Sequence, residues 1–240
     1  KARYVCGGHT TNPAPEIQTY ASVVSRESVR IAFTLAALNE LNIQSADVSN
    51  AYLNAPSRER LITKCGPEFG ADMQGRWAII QRALYGSKSA AASWRASIIG
   101  LLEQLGFKMC RADNDVMMRA GFNSKNNAVW EYILVYSDDF LVIAADPKLI
   151  ISLIDKQFKI KEGSDGEPTQ YLGAAISKFQ FEDGTWAWAM SSDTYIKSAI
   201  ANIETYLKNW NEKQFKTKTS CVIPSGLKPE VDVTNLLLDD

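Results

Sequence analysis

Histidine is almost missing from this chain. His9 is the only one in 240 residues, and it sits in a Gly- and Thr-rich stretch with no obvious catalytic partner. A Ser-His-Asp or Cys-His set would have to be built on it, so it reads as a loop residue. Cysteine is scarce as well: Cys6, Cys65, Cys110 and Cys221 are widely spaced and none forms a C-x-x-C pair. That pattern argues against zinc and against a disulfide framework, and it is read as reduced thiols of an intracellular protein. No apolar run reaches the roughly 18 residues that a membrane span needs, and no signal-peptide pattern is present. Neither sign of charge dominates, since the net charge is −1, so the chain as a whole is not a simple basic nucleic-acid binder. Lys1 in place of Met reads as a fragment or a processed piece.

What is there is ordinary globular material. Hydrophobic residues make up 46% of the chain, enough for one large core or two smaller subdomains. The stretch from Arg58 to Lys108 carries eight basic residues against four acidic ones, an excess of four. A groove tracking phosphates and a solvated face would both look like this.

Hydrophobic periodicity orders the elements. Residues 1–24 read as a short strand and loop. A helix starts after Ser25, a good N-cap with Glu27 in the first turn, and buries Val29, Phe33, Ala36 and Ala37. Ile43 to Val48 reads as a strand that delivers Asp47 near its end. Leu61 to Cys65 and Trp77 to Ile80 are short strands. Ser89 to Leu105 is a helix with Trp94, Ile98, Leu101, Leu102 and Leu105 on one face, stopped by Gly106. Val116 to Arg119 reads as a strand. In Glu131 to Ala145, two apolar runs flank Ser137-Asp138-Asp139, which is a hairpin with carboxylates at its tip. Asp146-Pro147 opens a helix burying Ile150, Ile154 and Phe158. Strands are expected at Lys159 to Glu162, Tyr171 to Ser177 and Phe179 to Phe181, with Asp183-Gly184 as a hairpin turn and Trp186 to Met190 returning. A helix from Asp193 to about Tyr206 spaces Ile196, Ile200 and Ile203 for burial. The remainder reads as an irregular tail. This order implies an α+β fold with a mixed antiparallel sheet.

Two adjacent carboxylates at a hairpin tip raise each other's pKa unless a cation is near. A plain solvated Asp-Asp turn gives the same pattern, but here the flanking runs are apolar, as if the turn emerged from a core. Asp47, at another strand end, would complete an all-oxygen cage suited to Mg²⁺. Two such ions can stabilise the attacking and leaving oxygens of a phosphoryl displacement.

Five segments, in order, resemble the reverse transcriptase of Ty1/copia-type retrotransposons, from Lys1 to roughly Ile203. Lys1-Ala2-Arg3-Tyr4-Val5 resembles the K-A-R-L-V strand. Asp47-Val48-Ser49-Asn50-Ala51-Tyr52-Leu53-Asn54 resembles D-V-x-x-A-F-L-N. Ala83-Leu84-Tyr85-Gly86-Ser87-Lys88 resembles A-L-Y-G-L-K. Tyr136-Ser137-Asp138-Asp139 resembles the Y-V-D-D box, and Tyr171-Leu172-Gly173 the later F-L-G segment. The resemblance implies a right-hand polymerase fold: a palm of antiparallel sheet packed on helices, partial fingers and the start of a thumb, over residues 1–207. Residues 208–240 would be a tail or a connection to a missing downstream region.

The resemblance also implies roles. Asp47, Asp138 and Asp139, with Val48 beside them, would hold two Mg²⁺ ions, or Mn²⁺ in their place. Lys161 would give a proton to the departing pyrophosphate; as a bare residue it is a strand-edge surface lysine. Tyr52 would lie under the incoming sugar, although a packing aromatic fits the pattern equally. Tyr85 and Gly86 would line the nucleotide site, and Lys1 or Arg3 would meet the triphosphate. Tyr136, Tyr171, Leu172 and Gly173 would contact the primer. The partners implied are an RNA or DNA template with its primer, a deoxynucleoside triphosphate, and the rest of a Gag-Pol-like polyprotein with integrase and RNase H outside this chain. No membrane is involved. The location implied is a cytoplasmic virus-like particle or the nucleus, without secretion.

The chain departs from the pattern in places. Ser89-Ala90-Ala91 stands for the usual Q-A-P, Ser87 for Leu, Ser137 for Val of the box, and Cys6-Gly7-Gly8 lacks a basic residue. These changes bear on substrate affinity more than on the metal site. Three readings follow: an active RNA-directed DNA polymerase core, a decayed or truncated copy that folds and binds nucleic acid without polymerising, and another palm-type nucleotidyl enzyme such as a cyclase. The third would not need Leu84-Tyr85-Gly86 or the basic stretch.

Overall fold

Ser25 caps the first helix as its sequence requires. Its hydroxyl accepts the backbone N–H of Ser28 at 3.1 Å, satisfying a donor that the helix cannot. The computed structural model describes residues 4–209 of the chain. Within them lie α1 (Arg26–Leu38), β1 (Asn42–Asp47), β2 (Pro56–Lys64), β3 (Trp77–Arg82) and α2 (Ala90–Gln104). Then come β4 (Lys108–Met109), β5 (Val116–Phe122), β6 (Ala128–Tyr136), β7 (Asp139–Ala144) and α3 (Pro147–Asp155). The last are β8 (Gln170–Tyr171), β9 (Ala174–Gln180), β10 (Trp186–Ser191) and α4 (Asp193–Asn209). The chain divides into two compact units, the second beginning at Asp193.

The main sheet of the first unit runs β1-β7-β6-β5-β4, and its paired strands are antiparallel. Strand β7 explains why the 131–145 segment is so apolar. Phe140, Leu141, Val142, Ile143 and Ala144 are all buried, because both faces of this strand are covered. One face carries Ala46, Val135, Phe140 and Val142 against Trp94, Ile98 and Leu102 of α2 and Ile150 and Ile154 of α3. The other carries Ile43, Leu134, Leu141 and Ile143 against Val29, Phe33 and Ala36 of α1, and Tyr171 and Ile176 of a smaller sheet. That sheet is β10-β9-β8, and β2-β3 form a separate two-stranded ribbon. Fully burying one such Leu or Phe is worth about 1.5–3 kcal/mol, so two faces of this size fix the register that carries the site.

Several expectations are corrected. Among residues 4–24 there is no strand, only a short 3-10 turn at Gly8–Thr10. Pro56 opens β2, pairing with Arg82 ahead of an irregular register. Around Lys159 to Glu162 there is no strand, only an isolated bridge between Val48 and Ile160. The expected strand Tyr171 to Ser177 is broken by a hairpin turn at Leu172-Gly173, with φ of 51° and 74°. Two successive positive φ values make this the I′ kind. Ile196, Ile200 and Ile203 on α4 are exposed rather than buried, at 52%, 46% and 49%. That helix runs on to Asn209, and the rest of the expected tail lies outside the described residues. None of the described helices is long and apolar enough to cross a membrane.

Candidate active site

Asp47 is the last residue of β1, directly opposite Asp139, the first of β7. Directly opposed residues of an antiparallel pair share a face. The register also sets Tyr136, the last residue of β6, opposite Asp139. Asp47, Asp139 and Tyr136 therefore lie on one side of the sheet, at one end. Between Tyr136 and Asp139 only Ser137 and Asp138 remain to turn the chain. Ser137 takes a φ of 58°, the sign that a II′ hairpin turn needs at its first central position.

This strained turn is held from three sides. The buried indole of Trp94 donates its Nε1–H to the carbonyl of Ser137 at 2.8 Å. The N–H of Val48 donates to the carbonyl of Asp138 at 3.0 Å, and the Val48 side chain is buried. The Tyr52 and Ser137 hydroxyls stand 3.5 Å apart.

Asp47 is bound from its other edge. The segment after α3 runs alongside, so that Lys161 N–H donates to the Asp47 carbonyl at 2.8 Å and Asp47 N–H to Ser164 Oγ at 3.0 Å. The Lys161 ammonium donates to Asp47 Oδ2 at 2.9 Å. This hydrogen bond and the Asp47 charge push Lys161 above its ordinary pKa. Asp139 is pushed up to about 6, first by desolvation and then by the charges of Asp138 and Asp47, with Lys161 opposing. The residue keeps an exposed side, so solvent screens part of that effect.

The aromatic residues gather in two places. Tyr52 packs on Tyr85 with ring centroids 4.8 Å apart. Tyr136 meets Tyr171 edge-on at 6.4 Å. Tyr171 is buried, donates its hydroxyl to the Leu134 carbonyl at 3.4 Å, and is pushed above the usual phenol range by burial. Leu172 and Gly173 form the turn directly after it. Gly86 has φ 87°, and the Cys6 N–H donates to the Tyr85 carbonyl at 2.7 Å. Lys1 and Arg3 lie outside the described residues.

A family profile described as "Reverse transcriptase (RNA-dependent DNA polymerase)" matches residues 1–215. The chain belongs to that family. Its relatives are Pol polyproteins of Ty1/copia-type retrotransposons. It is 28% identical over 167 residues to the retrovirus-related Pol polyprotein from transposon RE1 of Arabidopsis thaliana, covering 68% of this chain and 11% of that protein. It is 26% identical over 207 residues to that of transposon TNT 1-94 of Nicotiana tabacum, covering 83% and 15%. It is 30% identical over 194 residues to the transposon Ty1-DR1 Gag-Pol polyprotein of Saccharomyces cerevisiae, covering 75% and 10%. The chain thus spans only a small part of the length of these relatives.

Reverse transcriptases of this family work with divalent metal ions, so the donor set must be tested against one. Asp47, Asp138 and Asp139 offer only hard carboxylate oxygens, which suit Mg²⁺. Their mutual repulsion, felt at Asp139, is what a cation would relieve. Among the described residues, however, no three His, Cys, Asp or Glu side chains stand close enough to hold a metal ion as they are. Asp47 is engaged by Lys161, which occupies the place of a counter-charge. The set fits a divalent ion in the chemistry of its donors.

Two contributors escaped the sequence reading. Trp94 reads from the sequence only as core, yet it holds the Ser137-Asp138 turn. Glu59, buried in β2, binds the start of α2 and had no local signal at all.

Proposed function

We propose that this chain is the polymerase core of a copia-type Pol polyprotein, extending a primer on an RNA or DNA template. The five-stranded sheet with α2 and α3 serves as palm, the β2-β3 ribbon as partial fingers, and the region beginning with α4 as the start of the thumb. The observation that carries this is the register that sets Asp47 opposite Asp139 at one sheet end, with Asp138 in the turn beside it.

Asp47, Asp138 and Asp139, with the backbone of Val48, would hold two Mg²⁺ ions, or Mn²⁺. When bound, such ions would supply charge neutralisation at the attacking primer oxygen and the leaving pyrophosphate. The protein's own residues position the reactants. Tyr52, fixed by Tyr85 and Ser137, lies under the sugar and leaves no room for a 2′-hydroxyl. Tyr85 and Gly86 line the nucleotide, and Lys1 or Arg3 meets its triphosphate. Tyr136 and the Tyr171-Leu172-Gly173 turn hold the primer end. The primer 3′-hydroxyl oxygen attacks the α-phosphorus and its proton passes to water, the bond from that phosphorus to the α–β bridging oxygen breaks, and Lys161, released from Asp47, hands a proton to the pyrophosphate and regains one from water. The template–primer is recognised by backbone and A-like shape. The remaining partners are the other parts of the polyprotein, inside a cytoplasmic particle or the nucleus and not along a secretory route.

Primer extension on poly(rA)–oligo(dT) with Mg²⁺ tests this against Asp138→Asn. The expected result is extension by the chain and its loss, by about a thousandfold or more, in the variant. Full extension by Asp138→Asn would sink the proposal. The second reading, a decayed copy that binds without polymerising, draws on Ser89, which replaces the family's Gln and faces inward. Duplex binding without extension would favour it.

A further inference from the structure

A buried carboxyl group needs partners, because leaving one unpaired in a protein interior is expensive. Glu59 is 5% exposed. Among the described residues no lysine or arginine forms an ion pair with it. Its partners are instead the N-cap residue of a distant helix and a loop hydroxyl. Ser89, the N-cap of α2, donates its backbone N–H to Glu59 Oε1 at 2.7 Å and its hydroxyl to the same oxygen at 2.8 Å. The Thr11 hydroxyl shares its one proton between the Gly8 carbonyl at 3.0 Å and Glu59 Oε2 at 3.4 Å, so Ser89 is the stronger of the two anchors. Ser89 makes no cap of its own to α2.

These partners frame the Tyr85-Gly86 segment. The strap 6–11 lies along residues 85–89: Cys6 N–H donates to the Tyr85 carbonyl at 2.7 Å, and Lys88 Nζ to the Thr11 carbonyl at 2.5 Å. In between, the two backbones touch. A Cβ on Gly8 would fall 2.0 Å from the Gly86 carbonyl oxygen, and one on Gly86 2.2 Å from that of Cys6. Glu59 joins the far ends of both segments, Thr11 and Ser89, to β2. A cap supplied from within the helix would stabilise α2 alone. One supplied from β2 ties the ribbon, the strap and the loop into one piece.

We propose that Glu59 is a positioning residue for nucleotide binding. It sets the height and angle of Tyr85 and Gly86 by clamping Ser89 and Thr11, and it touches neither nucleotide nor metal. This rests on the reading that Tyr85 and Gly86 line the nucleotide site. The clamp gives the deoxynucleotide KM, rather than the chemical step, its dependence on a residue of the ribbon.

The test uses the 240-residue chain with Mg²⁺, poly(rA)–oligo(dT) and dTTP, together with amide hydrogen exchange. Glu59→Ala is expected to raise the KM for dTTP about tenfold with kcat changed less than about threefold. It should also strip exchange protection from the Cys6 and Ser89 amides while the β6-β7 amides keep theirs. Glu59→Gln, whose amide oxygen still accepts from Ser89, should restore both readouts. If Glu59→Ala does not fold, Ser89→Ala and Thr11→Val remove the two hydroxyl donors singly, leaving the Ser89 N–H in place, and carry the same expectation in smaller size. Unchanged KM and unchanged protection overturn the clamp, as does a loss of protection spread evenly through the sheet. Tyr85→Ala separates the two ideas. If it raises the KM while Glu59→Ala does not, the clamp is wrong and the nucleotide site stands. If it leaves the KM unchanged, or the chain does not extend, the nucleotide-site reading fails, and the Cys6 and Ser89 amides alone decide whether the clamp exists.

Discussion

Asp139 pays a penalty for its place beside Asp47 and Asp138, and the sign of that penalty is testable. Its folded pKa of about 6 lies above the ordinary value of 3.8. Between those values the folded state binds more protons than the unfolded one, so stability falls as pH rises through that window. The favourable share is fully present below pH 3.8 and lost above about 6. Asp139→Asn should therefore raise Tm at about pH 7.5 without metal, by about 2–4 °C if roughly 1 kcal/mol survives solvent screening. The difference should vanish below about pH 4. Thermal melts across pH check it, and equal Tm values at neutral pH would contradict the electrostatic account. Trp94 belongs to this scale too. Trp94→Phe keeps an aromatic ring in the core but removes the donor to the Ser137 carbonyl. A cost of about 1–3 kcal/mol is expected from the unpaired carbonyl and the smaller ring. A drop in kcat larger than any change in KM would show that the turn itself has moved; a variant with unchanged melting and kinetics would show that the bond is idle.

Helix α2 acts as a rigid spacer at the next scale. Its N-cap meets Glu59, and one turn later Trp94 meets the Ser137 turn, so the Tyr85-Gly86 segment and the carboxylates share one support. Gly86 is where this arrangement is least tolerant. Gly86→Ala would strain a φ of 87° and press a Cβ to 2.2 Å from the Cys6 carbonyl oxygen, a backbone atom that cannot simply rotate away. Destabilisation of about 1–3 kcal/mol is expected, read by urea denaturation, and a neutral variant would mean that the strap moves freely. The same elements show what a sequence discloses. Ser25, Asp146 and Gly106 are local signals, and the helices they bound appear where expected. The apolar runs around Ser137-Asp138-Asp139 disclosed the hairpin, and the strand reading placed Asp47 near the end of β1, where the register sets it opposite Asp139. The turn at Leu172-Gly173 was hidden because leucine rarely takes a positive φ, so no turn residue announces the break in what reads as one strand. Glu59 was hidden for another reason: its partners lie 30 and 48 positions away, beyond the reach of any local pattern. Lys161 was legible as a role implied by the resemblance, but its bond to Asp47 across 114 positions was not.

Across the whole molecule the charges nearly cancel, with a net of −1, so binding to a polyanion must depend on where they lie. Three of the eight basic residues between Arg58 and Lys108 lie exposed along β2. Arg58, Arg60, Ile62 and Lys64 alternate with inward residues along β2 and are exposed. Opposite them on β3, Ile79 pairs with Ile62 and Trp77 with Lys64, and Trp77 is 71% exposed. Cations interleaved with an exposed aromatic on one side of a ribbon suit a nucleic-acid backbone with stacked bases. Arg95, by contrast, is committed to the buried Asp115 at 2.7 Å and should contribute little. The affinity for template–primer should therefore fall linearly with salt on a log–log plot. Replacing Arg58, Arg60 and Lys64 by alanine together should flatten the slope by about 2–3, since each phosphate left unneutralised removes a counterion release of roughly 0.7–0.9. Replacing Arg95 should leave the slope alone. Fluorescence anisotropy between low and moderate salt measures both. A triple variant that binds more weakly at every salt concentration with an unchanged slope would mean that the ribbon supports the fold near the duplex without meeting its phosphates, and the excess of charge would then be a solvated face.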